Sequence, residues 1–142
     1  MGYQKDLIDA QFVIEKENID KAYEAIKDAC INNTPREALG VAESDQVPGP
    51  WFMDHVDNLG DALFEAGFDT GETESGGIEI IGSHNDRPSV EAYIAAAVAP
   101  FVKSGSFLTW EGEDYERFRY EFEDGKFFYA TPVVSWERDT LF

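Results

Sequence analysis

Carboxylate side chains are the largest group of residues in this sequence that could do chemistry. Between Glu37 and Asp86 the chain carries acidic residues but not one Lys or Arg. Carboxylates spaced along a surface can accept hydrogen bonds from the Lys and Arg side chains that normally grip phosphate groups. The predicted partner-binding surface consists of seven of these acids, Asp54, Asp57, Asp61, Glu65, Glu72, Glu74 and Asp86.

The overall charge restricts the class of partner. The chain has 142 residues with 29 Asp plus Glu against 11 Lys plus Arg, which gives a formal net charge of −18. Binding to a nucleic-acid backbone needs clustered Lys and Arg, and an anionic membrane would repel such a chain. The composition therefore favours a basic protein as the partner, with no direct nucleic acid and no membrane. A surface that only keeps the protein soluble is the competing interpretation.

Histidine is the next candidate for chemistry, and the chain has two, His55 and His84. Together with a nearby carboxylate they could hold a divalent metal ion, but no ligand spacing in the sequence supports this. The alternative is two polar histidines on the surface. Ser83 beside His84 lacks the flanking glycines of a nucleophile elbow, and no phosphate-binding loop or dinucleotide fingerprint occurs. The sequence therefore predicts no metal, no cofactor and no enzymatic activity.

The single cysteine, Cys30, bears on the compartment and on reactivity. With one cysteine no intramolecular disulfide can form, which is typical of a reducing cytoplasm. Cys30 falls on the apolar stripe of a predicted helix, which favours a buried structural thiol over a catalytic one. Residues 1–6 lack the apolar region of a signal peptide, and the longest mostly apolar run, residues 92–102, is too short to span a bilayer. We therefore expect a cytoplasmic protein.

Three amphipathic helices are predicted to position these side chains. The first follows Asn18 as N-cap, the second covers residues 52–66, and the third follows Ser89 as N-cap. In the second helix the four acids from Asp54 to Glu65 recur at three-four-four spacing and would share one face. Gly67 sits where a left-handed glycine commonly ends a helix. The three apolar stripes are Ile19, Tyr23, Ile26 and Cys30; Phe52, Val56, Leu59, Leu63 and Ala66; and Val90, Ile94, Ala97, Val98 and Phe101.

The C-terminal part, residues 105–136, is predicted to be a three-stranded antiparallel meander. Residues 116–123 alternate between polar and aromatic side chains, which is typical of a half-buried strand. Asp124-Gly125 is a strong hairpin signal because both residues tolerate the positive φ of a type I′ turn. This turn sets Tyr120 opposite Tyr129, and Pro132 predicts a bulge or an edge position in the third strand.

The remaining segments complete the predicted fold class. Short strands are predicted at residues 11–17 and 78–81, with a polar turn region at 69–77 and a loop at 82–88. Helices beside an antiparallel meander indicate an α+β fold, with about three helices on one face of the sheet. The whole chain, residues 1–142, is predicted to form a single domain. The three tryptophans are predicted to be core residues rather than interface anchors; they are Trp51, Trp110 and Trp136.

The last third of the chain carries a resemblance. It lies in the segment 104–114, Ser-Gly-Ser-Phe-Leu-Thr-Trp-Glu-Gly-Glu-Asp, followed by 117–122, Arg-Phe-Arg-Tyr-Glu-Phe, and 124–126, Asp-Gly-Lys. These residues resemble the C-terminal hairpins of small, mostly uncharacterised acidic proteins of bacteriophage and bacterial genomes. Tyr115 departs from the pattern, because a small turn residue such as Gly is expected there. The resemblance implies a cytoplasmic, phage-borne accessory protein and brings no catalytic residues with it.

Three functions are compatible with these observations. The first is a non-enzymatic acidic binding protein, a phage-type inhibitor or nucleic-acid-mimicking decoy of a basic host protein. The second is a structural or assembly module that uses its aromatic sheet face to pair with itself or with another subunit. The oligomeric state, monomer or homodimer, stays open. The third is a small metal-dependent enzyme that uses His55, His84 and nearby acids. The charge, the small size and the absence of a catalytic motif favour the first.

Overall fold

A computed structural model describes residues 5–41, 46–84 and 90–139, and it confirms an α+β fold. No helix in these residues is long and apolar enough to cross a membrane. The strands are β1 (Lys5–Gln11), β2 (Val13–Ile14), β3 (Phe68–Glu72), β4 (Ile78–Ser83), β5 (Ser106–Gly112), β6 (Arg117–Glu123) and β7 (Lys126–Ala130). The α-helices are α1 (Ile19–Ile31), α2 (Arg36–Leu39), α3 (Leu59–Glu65) and α4 (Glu91–Val98), and short 3₁₀ helices cover Lys16–Asn18, Pro50–His55 and Ala99–Phe101.

The described strands form two antiparallel sheets rather than one. The larger has the order β1-β5-β6-β7, and the smaller has the order β2-β4-β3. The chain passes from β1 in one sheet to β2 in the other through a single residue, Phe12, which is buried and packs edge-on against Phe122 at a ring distance of 5.2 Å. The backbone of Val13 is held at this junction, because its N–H donates to Ser106 Oγ and its carbonyl accepts from Lys103 N.

The predicted meander is confirmed through β7. Tyr120 pairs with Tyr129, and the turn residues Asp124 and Gly125 have φ of 52° and 77°, as a type I′ turn requires. The third strand ends at Ala130 rather than near residue 136, because Pro132 cannot donate to a strand ladder. Tyr115 adopts a φ of 65°, so it occupies the left-handed turn position at which a small residue was expected.

Two strands were missed or misplaced in the sequence prediction. β1 begins at Lys5, well before the predicted strand at 11–17, and an irregularity between Leu7 and Asp9 interrupts its pairing with β5. This bulge breaks the alternation of polar and apolar residues on which the prediction depended. β3 lies in part of the predicted polar turn region, and only the turn from Thr73 to Gly77 remains there, closed by a bond from Gly77 N to Thr73 Oγ1.

The first predicted helix is confirmed as α1, and its stripe residues Ile26 and Cys30 are fully buried. The predicted N-cap role of Asn18 is wrong, because its side chain accepts no capping hydrogen bond. The 3₁₀ helix Lys16–Asn18 leads directly into α1, so Asn18 already has helical backbone angles rather than the extended ones of a capping residue.

The third predicted helix is confirmed as α4, but it is buried on all sides instead of along one stripe. It contacts α1 and α2, and it also contacts β7 of the larger sheet. The hydroxyl of Tyr93 donates to the carbonyls of Ala29 and Thr34, which satisfies the polar end of this buried side chain. The helix ends where Pro100 enters the 3₁₀ helix Ala99–Phe101, because proline cannot continue an α-helix interior. Ser89, the predicted N-cap, lies outside the described residues.

Replacing Gly125 by Val tests the turn on which the meander register depends. A β-branched side chain resists the observed φ of 77°, so we expect the free energy of unfolding to fall by about 1–3 kcal/mol in chemical denaturation. The matched control is Gly125→Asn, which tolerates this backbone conformation and should lose much less. Equal unfolding midpoints for the wild type and Gly125→Val would contradict the turn assignment.

Candidate functional site

The acidic residues 54–65 do not share one helical face, so this part of the prediction is wrong. The predicted helix 52–66 is divided into the 3₁₀ helix Pro50–His55 and α3. Val56 between them has an extended backbone, and Asn58 begins a new helix by capping it. Asp54 therefore lies on the 3₁₀ helix and Asp57 in the connection, and a spacing of three and four residues no longer aligns their side chains. The predicted glycine at the helix end is confirmed, since Gly67 has a φ of 107°.

Asp61 has a structural task at the start of α3. Asn58 Oδ1 accepts a hydrogen bond of 2.8 Å from Asp61 N, and Asp61 Oδ2 accepts one of 3.1 Å from Asp57 N. The two side chains thus satisfy backbone donors at the helix start reciprocally, much as in a capping box. A carboxylate in the first turn also interacts favourably with the helix dipole. Asp61 is half-buried, so its carboxylate is less available to a partner than the sequence suggested.

The other predicted site residues differ in accessibility. Glu65 is half-buried in the last turn of α3, and Asp86 lies outside the described residues. Four of the seven acids are exposed and form no ion pair with another described residue. They are Asp54, Asp57, Glu72 and Glu74. We call these four residues the acidic surface.

The segments that carry the acidic surface are linked through α3. The 3₁₀ helix with Asp54 contacts α3, and β3, which ends at Glu72, packs along α3. Glu74 follows in the turn closed by Thr73 and Gly77. The fold therefore attaches Asp54, Asp57 and Glu72 to segments that contact or adjoin one short helix, and Glu74 follows β3 in the next turn.

His84 is held by two hydrogen-bond acceptors. Its Nδ1 lies 2.7 Å from Asp69 Oδ1, its Nε2 lies 3.0 Å from the carbonyl oxygen of Phe64, and its ring packs on the Phe64 ring at 4.3 Å. A carbonyl oxygen can only accept, so Nε2 donates to it. These contacts tie the end of α3 to β3 and to the residue that follows β4. His84 is therefore a connecting residue of the fold, whereas His55 is exposed at the end of its 3₁₀ helix.

The geometry around the two histidines does not match a metal-binding site. Among residues 5–41, 46–84 and 90–139, no group of three or more His, Cys, Asp or Glu side chains is placed to hold a metal ion. Both nitrogens of His84 already lie at hydrogen-bond distance from protein oxygens, so neither points to an open position for a metal ion.

A buried ion pair, missed in the sequence, joins β1 to α4. Lys5 Nζ lies 3.3 Å from Glu91 Oε2, and the two side chains are 8% and 1% exposed. The Lys5 ammonium also lies 5.0 Å from the centre of the Trp110 ring and 5.9 Å from that of Phe118. Removing one partner of such a pair leaves an uncompensated buried charge and typically costs about 3–5 kcal/mol. The available signal was Glu91 itself, a charge at the start of a run that is otherwise apolar.

Cys30 is buried, as predicted, and its chemistry follows from that burial. Loss of water around the thiol raises its pKa from 9.0 to about 12. Burial and the nearby Cys30 also raise the pKa of Tyr93. Since only the thiolate is a strong nucleophile, Cys30 has little reactivity in the folded protein near neutral pH.

The tryptophans divide between core and surface. Trp110 is fully buried, which confirms one third of the prediction, but Trp51 is 58% exposed and Trp136 is 93% exposed. Trp51 follows the glycine and proline that begin the 3₁₀ helix, and Trp136 lies beyond the last strand, so neither faces the core.

An open cleft of about 570 Å³ lies at the junction of the two sheets. Its walls include Gln11 from β1, Ile81 from β4 and the turn at residues 103–106. Its best-placed hydroxyl, Ser106 Oγ, is engaged by Val13 N, and the lining contains no histidine or cysteine to activate a nucleophile. The cleft therefore shows no arrangement of a nucleophile with an activating His or Cys among its lining residues.

No family model, no curated protein and no solved structure matches this chain.

Removing the Asp61 side chain tests its structural role. In Asp61→Ala the N–H of Asp57 loses its acceptor, so we expect the free energy of unfolding to fall by about 1 kcal/mol in urea titrations. Asp57→Ala is the matched control, because the Asp57 carboxylate is exposed and its backbone N–H remains in place. A loss of equal size in the control would show that charge, not capping, is responsible.

The raised pKa of Cys30 gives a second test. Because the folded protein retains the thiol proton above the ordinary pKa of 9.0, this group stabilises the fold below that pH. Its contribution is lost as the pH rises toward about 12. At about pH 8, alkylation of the Cys30 thiol should be slow in the native protein and fast in protein unfolded by denaturant. Equal alkylation rates in the two states would contradict burial of the thiol.

Proposed function

We propose that the protein is a non-enzymatic acidic binding protein whose acidic surface occupies a basic site on another protein. The observation that carries this proposal is that Asp54, Asp57, Glu72 and Glu74 are exposed and form no ion pair with other described residues. Carboxylates that form no ion pair within the fold remain able to bind Lys and Arg side chains of a partner.

The few basic residues of the chain support this assignment. Lys5 is buried against Glu91, Arg117 pairs with Glu111 at 3.2 Å, and Arg119 lies 3.8 Å from Glu121 and packs on Phe107. These three of the eleven basic residues, on β1 and the meander, are paired, whereas the Lys16 side chain lies against Gly76, close to Glu74 in sequence. The excess charge of −18 therefore acts outward on charged molecules that approach it.

The partner class follows from this chemistry. A protein that binds nucleic acid presents Lys and Arg at phosphate spacing, and separated carboxylates can engage the same donors. The protein would then act as an inhibitor or decoy that competes with nucleic acid for its partner. The buried Cys30, with no second cysteine in the chain, is consistent with work in a reducing cytoplasm. The resemblance of the C-terminal hairpin suggests a phage or bacterial setting.

Charge reversal of Asp54 and Asp57 to Lys tests this function against a control of equal charge. The control reverses Glu24 and Asp28, which are exposed on α1. Partners are first captured from a bacterial lysate with the wild type at low salt, and association rates are then measured for each variant. We expect the Asp54/Asp57 variant to associate about tenfold more slowly than the wild type, because steering depends on charge near the contact.

Three outcomes would contradict the proposal. One is equal association by the two charge-reversed variants, which would leave only a general effect of net charge. Another is binding that does not weaken as salt rises toward 0.5 M, because charge-steered binding is screened. The third is a captured partner from which duplex DNA does not displace the protein. Leaving Asp61 unchanged avoids confusing lost binding with a weakened α3.

A further inference from the structure

The C-terminal segment, comprising β7 and residues 131–139, presents apolar side chains to solvent. Phe128 is 46% exposed, Val134 75%, and Val133 and Trp136 are each 93% exposed. Residues 131–139 have no helix or strand structure and are exposed throughout. Continuous apolar exposure of this kind marks an interaction surface more often than a merely solvated one. Fully burying one such side chain contributes about 1.5–3 kcal/mol.

The charge of this segment sets it apart from the rest of the protein. Residues 126–139 contain two basic residues, Lys126 and Arg138, and two acidic ones, Glu137 and Asp139, so their formal charges cancel. The whole chain has a formal charge of −18. A second copy of the chain therefore meets little like charge here, whereas it is repelled by surfaces such as the acidic surface.

We propose that β7 and residues 131–139 bind the same segment of a second copy, which gives a two-fold symmetric dimer. β7 is the outermost strand in the order β1-β5-β6-β7. An antiparallel approach centred on Phe128 sets Lys126 of each copy opposite Ala130 of the other, so no like charges face each other. The apolar side chains of residues 133–136 then cover the partner's exposed aromatic edge.

Much of the aromatic face of the larger sheet is buried and is not available for this contact. Tyr120 and Phe122 are buried in the core, where Phe122 packs on Phe12. What remains accessible is the edge of the sheet and the segment beyond it. Pro132 and the five-residue length of β7 limit strand pairing to a short stretch, so the side chains of residues 133–136 must supply much of the contact.

Salt distinguishes this dimer from the acidic surface. Two bodies of charge −18 repel each other at low ionic strength, when the screening length is about 30 Å at 0.01 M salt. At about 0.15 M it falls to about 8 Å, and the neutral apolar contact is then hardly opposed. Self-association should therefore strengthen as salt rises, while binding of a basic partner weakens.

Sedimentation equilibrium across a salt series tests the dimer. The probe variant combines Val134→Ser with Trp136→Ser, and the matched control is Trp51→Ser, which removes an exposed tryptophan outside the segment. We expect the fraction of dimeric wild type to increase with NaCl concentration. In the probe variant the dimer dissociation constant should be at least about tenfold larger than in the wild type, which corresponds to about 1.4 kcal/mol. The control should stay close to the wild type. Circular dichroism melting at low salt and low protein concentration, where all three proteins are monomeric, should be the same for each.

A protein that is monomeric at every salt concentration overturns the proposal. So does a dimer that the probe variant leaves intact, which would place the contact elsewhere. Val133→Ser with Val134→Ser provides a second variant that keeps all tryptophans, and it too should weaken the dimer. The Asp54/Asp57 reversal should leave dimerisation at least as strong as in the wild type, so failure of the dimer and failure of the acidic surface are distinguishable.

Discussion

The burial of α4 on every side is the constraint on which most of this fold depends. All eight residues of the helix, Glu91–Val98, are buried, so no face of the helix is exposed to solvent. Four of the eight are alanines, whose small side chains allow neighbouring elements to approach closely. A helix of this kind cannot form early as a separate amphipathic unit, because it gains its stability only when α1, α2 and the sheet surround it. The α/β layering follows from that requirement.

Complete burial also forces the polar groups of α4 to find partners. Glu91 meets Lys5 across from β1, and Tyr93 donates to two carbonyls that lie at the end of α1 and just beyond it. These bonds recover free energy lost on desolvation, and they require one relative position of β1, α1 and α4. Lys5 lies beside Trp110, so the same contact also sets the position of the aromatic layer under the larger sheet. An apolar pair could stabilise the core equally well but would leave this register less strictly defined.

The accuracy of the sequence predictions follows the range of the interactions that decide each element. Asp124-Gly125 and the alternation of β6 are local signals, and the register they predict, Tyr120 opposite Tyr129, is the one observed. The helix predicted at 52–66 failed because Asn58 and Asp61 favour a new helix start, although the apolar spacing continues through it. β1 and its ion pair could not be predicted, since a bulge hides its periodicity and the partner of Lys5 is 86 positions away. The predicted partner-binding surface stays a prediction, because composition reveals an excess of carboxylates but not which of them the backbone uses.

The arrangement of charge would allow the two proposed surfaces to coexist on so small a protein. The few basic side chains with described ion pairs lie mainly in the meander, where Arg117 and Arg119 bond to carboxylates of the same sheet. Beyond them the charge of the last segment cancels, while the elements around α3 keep carboxylates without partners among the described residues. A basic partner would thus be attracted to one region, and a second copy of the chain tolerated only at the other. Because salt weakens the first attraction and relieves the repulsion that opposes the second, ionic strength alone would shift the balance between them.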